Sequence, residues 1–74
     1  MDFDRQLVAS RIRARRAELD LTQEELTNRA GGLGGPTSLS KWESGLYLPS
    51  AENIVALAQA LDTTPNYLLG WDDS

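Results

Sequence analysis

Seventy-four residues set the limit at one domain, and neither cysteine nor histidine is among them. This excludes disulfides, Cys- or His-based metal sites and an imidazole general base, while a hydrophobic fraction of 41% argues for a globular chain over a disordered one. The formal charge of −4 argues, taken as a sum, against a nucleic-acid partner.

The distribution of charge says more than its sum. All seven basic residues lie between Arg5 and Lys41, five of them before Ala17. From Ser44 onward there are four acids (Glu52, Asp62, Asp72, Asp73) and no base, whereas Met1 to Glu43 carries seven of each and is neutral. A face for an anionic partner must therefore come from the first half, with the acidic tail, residues 70–74, held away from it. The start, MDFDRQ, has no apolar signal core, and no apolar run approaches the roughly 18 residues of a membrane span. These features imply a cytoplasmic protein that does not cross a membrane.

In chain order, Asp4 to Leu19 predicts a helix. Leu7, Ile12 and Leu19 share a broad inner face, with Val8 and Ala14 or Ala17 beside it, and Asp2 or Asp4 is the N-cap. Arg11, Arg13, Arg15 and Arg16 cannot all point one way at helical spacing, and most of them read as a solvated basic face. Asp20-Leu21 breaks the helix. Thr22 and Glu25 form a capping box for a second helix, Gln23 to Ala30, with Leu26 and Ala30 inward. Gly31-Gly32-Leu33-Gly34-Gly35 reads as a turn anchored by one apolar side chain. It lacks the Lys-Ser/Thr ending of a phosphate-binding loop.

Pro36 opens a third helix that runs to Glu43 and is ended by Gly45. Leu39 and Trp42 point inward together. Thr37, Ser38 and Lys41 lie on the other side, with Ser40 partly so, and short polar side chains let a helix lie close to another surface. Leu46-Tyr47-Leu48-Pro49 is extended. Ser50 caps a fourth helix, Ala51 to Ala60, whose inner stripe is Ile54, Leu57, Ala58 and Leu61. Thr64-Pro65 starts a short fifth helix that Gly70 ends. The fold class is all-α, without strands or internal repeats. Carboxylates are plentiful, but nothing pairs them with a nucleophile, metal ligand or cofactor loop, so an enzyme, a cofactor and a bound metal are not expected.

Taken together, Arg11-Ile12-Arg13 with Arg16, Leu21-Thr22-Gln23-Glu24-Glu25-Leu26, Leu39-Ser40-Lys41-Trp42-Glu43 with Gly45, Pro49-Ser50, Leu57-Ala58-Gln59-Ala60-Leu61 and Tyr67-Leu68-Leu69-Gly70 resemble the Cro/C1-type (XRE-like) helix-turn-helix family. That family includes phage repressors and many small bacterial regulators. The resemblance implies a compact five-helix, lambda-repressor-like DNA-binding domain over residues 1–74, with the helix-turn-helix at about 22–43. It also implies a regulator, most simply a repressor, that binds a palindromic DNA operator as a homodimer with helix three in the major groove. Gln23 matches a position that touches phosphate. Pro36, Thr37, Ser38, Ser40 and Lys41 match the face turned to base edges and nearby phosphates. Arg16 and Glu43 match a structural salt bridge, and Tyr67, Leu69 and Trp71 lie in the region through which the family pairs.

Three departures bear on these expectations. Ala30 to Trp42 spans twelve residues, longer than the family's common turn, which implies a shifted angle for helix three. Pro36 stands where many members have a hydrogen-bonding side chain and offers only an apolar contact. The loop after helix three, usually basic, is Ser44-Gly45-Leu46-Tyr47-Leu48, so its DNA contacts reduce to backbone amides, hydroxyls or the Tyr47 phenol. Weak phosphate binding per subunit follows, which dimerisation would offset. The acidic charge and the apolar loop also motivate a second reading on the same fold, a protein-interaction module captured by an antirepressor or another regulatory protein, or pairing with a toxin as an antitoxin does.

Overall fold

The computed structural model describes residues 4–71. Among these, the elements in chain order are α1 (Arg5–Glu18), α2 (Gln23–Arg29), α3 (Pro36–Glu43), α4 (Ala51–Ala60) and α5 (Pro65–Leu69). No strand occurs among the described residues. The expected Asp2 alternative for the first cap, and Asp72 to Ser74 of the acidic tail, lie outside them.

Each helix starts where a side-chain oxygen can take up free amides of the first turn. Asp4 Oδ1 accepts from the amides of Gln6 and Leu7. Thr22 Oγ1 accepts from the Glu25 amide at 3.0 Å while Glu25 Oε1 accepts from the Thr22 amide at 2.9 Å, closing the capping box. Ser50 and Thr64 cap α4 and α5 in the same way. The exception is α3, whose N-cap Gly35 has no side chain to offer.

The helix ends are set by residues that tolerate the left-handed region. Asp20 (φ 57°) follows α1 and Asp62 (φ 56°) follows α4, and aspartate visits this region more readily than most residues. Gly45, at φ +81°, follows α3, and a Cβ there would run into the side chain of Gln6 on α1. Glycine is required at that position by its dihedral, since the exposed end of the Gln6 side chain could swing aside. Leu33 is the costly case: a leucine at φ 51° carries about 1–2 kcal/mol of steric strain. Its side chain is 8% exposed and joins the core, and burying a leucine contributes about 1.5–3 kcal/mol, so the turn between α2 and α3 is held by that one side chain.

The core runs through the middle of the molecule. Val8 and Ile12 of α1, Leu26 of α2, Leu39 of α3, Leu57 of α4, then Leu61 and Leu68, have almost no surface in water. Trp42, Ile54 and Ala58 complete it. The inner face of α1 differs from the sequence expectation in one respect. Ala14 and Ala17 are exposed and Ala9 is buried. The reason is angular: at about 100° per residue, Ala9 lies about 60° from Ile12 around the helix, whereas Ala14 and Ala17 lie on the far side. Leu7 and Leu19 are half-buried at the edges of this face.

The capping box makes stability depend on acidity. Hydrogen bonds from the Thr22 backbone amide, and then from the Thr22 side chain, hold the Glu25 carboxyl below its ordinary value of 4.5. The unfolded chain therefore binds the proton first on acidification, so the contribution of Glu25 is complete above about pH 4.5 and is lost as the pH falls through the lower folded value. Glu25→Gln keeps an acceptor for the Thr22 amide but cannot titrate. In urea unfolding, the advantage of the native protein over this variant is expected to shrink steadily as the pH is lowered below 4.5. An advantage that stays constant from pH 7 to pH 3 would contradict the assignment.

Candidate nucleic-acid interface

The site begins with a buried charge. Glu43, the last residue of α3, is 4% exposed. A carboxylate there is tolerable only if its lone pairs are taken up. Arg16 of α1 meets it in a two-bond fork, Nε to Oε2 at 2.7 Å and Nη2 to Oε1 at 2.9 Å. Gln23, the first residue of α2, donates from Nε2 to the same Oε1 at 3.0 Å. Arg16 Nη1 turns back to the Leu21 carbonyl at 2.9 Å, in the segment joining α1 to α2. The hydrogen bond from the Arg16 guanidinium to Glu43 raises its pKa above the ordinary value, against the lowering effect of burial. One carboxylate thus ties three helices together.

With its inner side fixed by Glu43, Leu39 and Trp42, α3 turns an outer stripe to solvent. Thr37, Ser40, Lys41 and Ser44 are all exposed and recur at intervals of three and four, which places them along one face. Ser38 is half-buried. Pro36 is the first residue of α3, and its ring lies outside the described side chains. Ser44 Oγ donates to the Lys41 carbonyl at 2.8 Å. The Lys41 ammonium sits over the Tyr47 ring, 5.6 Å from its centre. Leu46 and Tyr47 beside it are 61% and 58% exposed. The outer stripe therefore continues into the loop after α3, which carries an aromatic ring and a cation on its surface.

The sequence reading of most α1 arginines as a solvated basic face is corrected for Arg11, Arg15 and Arg16, which are half-buried, while Arg13 is exposed but anchored by a hydrogen bond. Arg11 donates to the Tyr67 carbonyl and its guanidinium lies 4.6 Å from the centre of the Tyr67 ring. Arg13 donates to the Glu43 carbonyl. Arg15 donates from Nε to Leu61 at 2.8 Å and from Nη2 to the Asp62 carbonyl at 3.1 Å, with Glu18 at 3.3 Å. Arg5 reaches the Leu46 carbonyl at 3.2 Å. These acceptors lie near the C-terminal ends of α3, α4 and α5, where helices carry a partial negative charge; the Tyr67 carbonyl also accepts from the Gly70 amide. The readable signal was the absence of any Lys or Arg after Lys41: α4 and α5 have no base in their own last turns.

The remaining candidates are spread more widely. Tyr67 is half-buried under Arg11, Leu69 is half-buried against the core, and Trp71 is 51% exposed. Val55, which the sequence reading did not single out, is 45% exposed on α4. Among the described residues, no group of three or more Asp or Glu side chains is placed to hold a metal ion, and no helix is long and apolar enough to cross a membrane.

Residues 12–68 match the Helix-turn-helix protein family. The chain is 40% identical over 67 residues to the repressor protein C2 of Salmonella phage P22, a match that covers 90% of this chain and 30% of that protein. The chain thus corresponds to less than a third of that relative's length. Two solved structures are also similar. The P22 c2 repressor in complex with a synthetic operator superposes with a TM-score of 0.81 at 40% identity, covering 90% of this chain and 98% of that one. The solution structure of the DNA-binding domain of the P22 c2 repressor gives a TM-score of 0.81 at 39% identity, covering 100% of this chain and 92% of that one.

The buried ion pair has a measurable consequence. Glu43→Ala leaves the Arg16 guanidinium and the Gln23 amide without their acceptor, and removing one partner of a buried pair costs about 3–5 kcal/mol. Small domains have about 5–15 kcal/mol in total, so the variant is expected to melt far below the native protein. The double variant Arg16→Met, Glu43→Leu should recover much of that loss, because no orphaned charge remains. Thermal melts of the two variants check this, and a single variant as stable as the native protein would refute it.

Proposed function

Because this chain belongs to the Helix-turn-helix family, which is not a family of enzymes, we propose that it is a sequence-specific DNA-binding transcriptional regulator, a repressor that inserts α3 into the major groove of its operator. The observation that carries this reading is the outer stripe of α3. Thr37, Ser40, Lys41 and Ser44 face solvent together, while the opposite face of the helix is locked to α1 and α2 through Glu43. Likeness at 40% identity to a repressor solved with operator DNA supports the same docking.

In this reading the whole chain, residues 1–74, acts as one binding unit. Thr37, Ser38 and Ser40 meet base edges, where a hydroxyl can serve as donor or acceptor and the threonine methyl can meet a thymine methyl. Pro36 adds an apolar contact. Lys41 reaches a guanine or a phosphate. Gln23 has a second amide N–H beyond the one held by Glu43, and it stands at the start of α2, where amides favour an anion. Tyr47 lies against the sugar-phosphate backbone beside Lys41. Two copies pair through Tyr67, Leu69 and Trp71 on a two-fold symmetric operator in the cytoplasm. A protein partner such as an antirepressor would act by covering α3. The exposed Leu46 and Tyr47 favour that second type of contact, and a chain that binds protein alone is the competing reading.

The test is binding to DNA from upstream of the chain's own gene, with a scrambled duplex of equal length as control. The native protein should prefer the native duplex. Thr37→Ala and Lys41→Ala should each erode that preference, by about 1–3 kcal/mol if a base contact is lost, with the melting temperature unchanged. Equal affinity for both duplexes would overturn sequence-specific readout, and no binding to either at low salt would leave the protein-interaction reading.

A further inference from the structure

The loop after α3, Ser44 to Leu48, contains no lysine or arginine, yet one cation from α1 is fastened to it and a second to the residue just before it. Of the seven basic residues, Arg11, Arg15 and Arg16 are half-buried, and Arg5, Arg13, Arg29 and Lys41 are exposed. Arg29 closes α2. The other three converge on one place. Arg13 donates to the carbonyl of Glu43 and Arg5 to the carbonyl of Leu46, on either side of Ser44, while Lys41 lies over the ring of Tyr47. Ser44 is the last residue of the exposed α3 stripe, so the positive charge abuts the face assigned to DNA.

We propose that Arg5 and Arg13 neutralise DNA backbone phosphates beside the α3–α4 loop, supplying from α1 the positive charge that the loop's own sequence lacks. The inference rests on the DNA-binding reading and adds two residues to it. A guanidinium carries five N–H donors in a rigid fork, and the bonds to Leu46 and Glu43 leave most of that fork open to solvent. Arginine pairs with phosphate through two parallel N–H bonds. Anchoring each side chain to a carbonyl beforehand lowers the conformational entropy lost on binding. Arg5 and Arg13 are eight residues apart, about 12 Å along α1 at 1.5 Å per residue, which allows each to meet a different phosphate. The loop is thus not limited to amides, hydroxyls and the Tyr47 phenol.

The experiment is DNA binding across a salt series with the full chain and with Arg5→Gln, Arg13→Gln and Arg29→Gln, using the native upstream duplex and the scrambled one. Each lost phosphate contact is expected to reduce the slope of log affinity against log salt by about 0.9 per bound subunit. Arg5→Gln and Arg13→Gln should show that reduction on both duplexes alike, because phosphates carry no sequence information. Arg29→Gln should keep the native slope, and Arg13→Lys should restore it. A purely structural role would lower the melting temperature and leave the slope unchanged. If Arg13→Gln does not fold, Arg5→Gln decides alone, its bond to Leu46 being at the surface. Native slopes in both folded variants would overturn this assignment and leave the DNA-binding function standing. Failure of the unsubstituted protein to bind any duplex would overturn both.

Discussion

A carboxylate with 4% of its surface in water constrains everything around it. Glu43 would cost several kcal/mol if left unpaired, so its partners must arrive from fixed directions. The fork from Arg16 sets the distance between α1 and the end of α3, the amide of Gln23 sets the start of α2, and Arg16 ties itself to the Leu21 carbonyl between them. The arrangement is cooperative, because each donor is oriented by the others and none can be moved alone. Apolar packing by Leu39 and Trp42 could hold α3 in several rotations. The ion pair selects the one that turns Thr37, Ser40 and Lys41 outward.

The same logic, applied to partial charges, explains how a chain of net charge −4 can carry a DNA-facing surface. Residues after Lys41 include no base, so any cation that complements the carbonyl ends of α4 and α5 comes from elsewhere in the chain. Arg15 serves α4 and Arg11 serves α5. These contacts spend the half-buried arginines on structure, on surfaces away from α3. What remains exposed near α3 is Arg5, Arg13 and Lys41, and the one acid within α3, Glu43, is turned inward. Net charge is a poor guide here because the long-range field matters less than which sign lines the contact face, at a Debye length of about 8–10 Å in physiological salt.

Most of the fold was legible because its boundaries are local chemistry. Thr22 with Glu25, Ser50, and Thr64 with Pro65 are read directly as helix starts, and Asp4 performs the role offered to it. The misassignment of Ala14 and Ala17 came from counting alanines as core-facing without placing them around the helix. The fate of the arginines was not legible in the same way. A bond from Arg15 to the carbonyls of Leu61 and Asp62 spans more than forty positions and depends on how α1 crosses α4, which no local pattern encodes. The bond from Gln23 to Glu43 was hidden for the same reason. The stripe of α3 was legible because short hydroxyls opposite a Leu-Trp pair separate cleanly at helical spacing.

The turn between α2 and α3 decides where recognition is rigid and where it can adapt. All five residues from Gly31 to Gly35 have positive φ, and a Cβ at Gly31, Gly32 or Gly35 would meet nothing within 4 Å. Glycine is there for the backbone path and not for packing, so the added length is taken up in open space while both helices keep their hold on the core. The C-terminal end of α3 is fixed by Glu43, Trp42 and Arg13, three independent contacts. Its N-terminal end, where Pro36, Thr37 and Ser38 stand, is held by Leu33 and by no capping side chain. Adjustment of α3 on a bound surface is therefore easiest at the end that carries the short hydroxyls and hardest at the end that carries the cations. In the proposed docking, phosphate contacts near Ser44 would fix the position of the domain, and the N-terminal turn of α3 would settle against the bases within that frame.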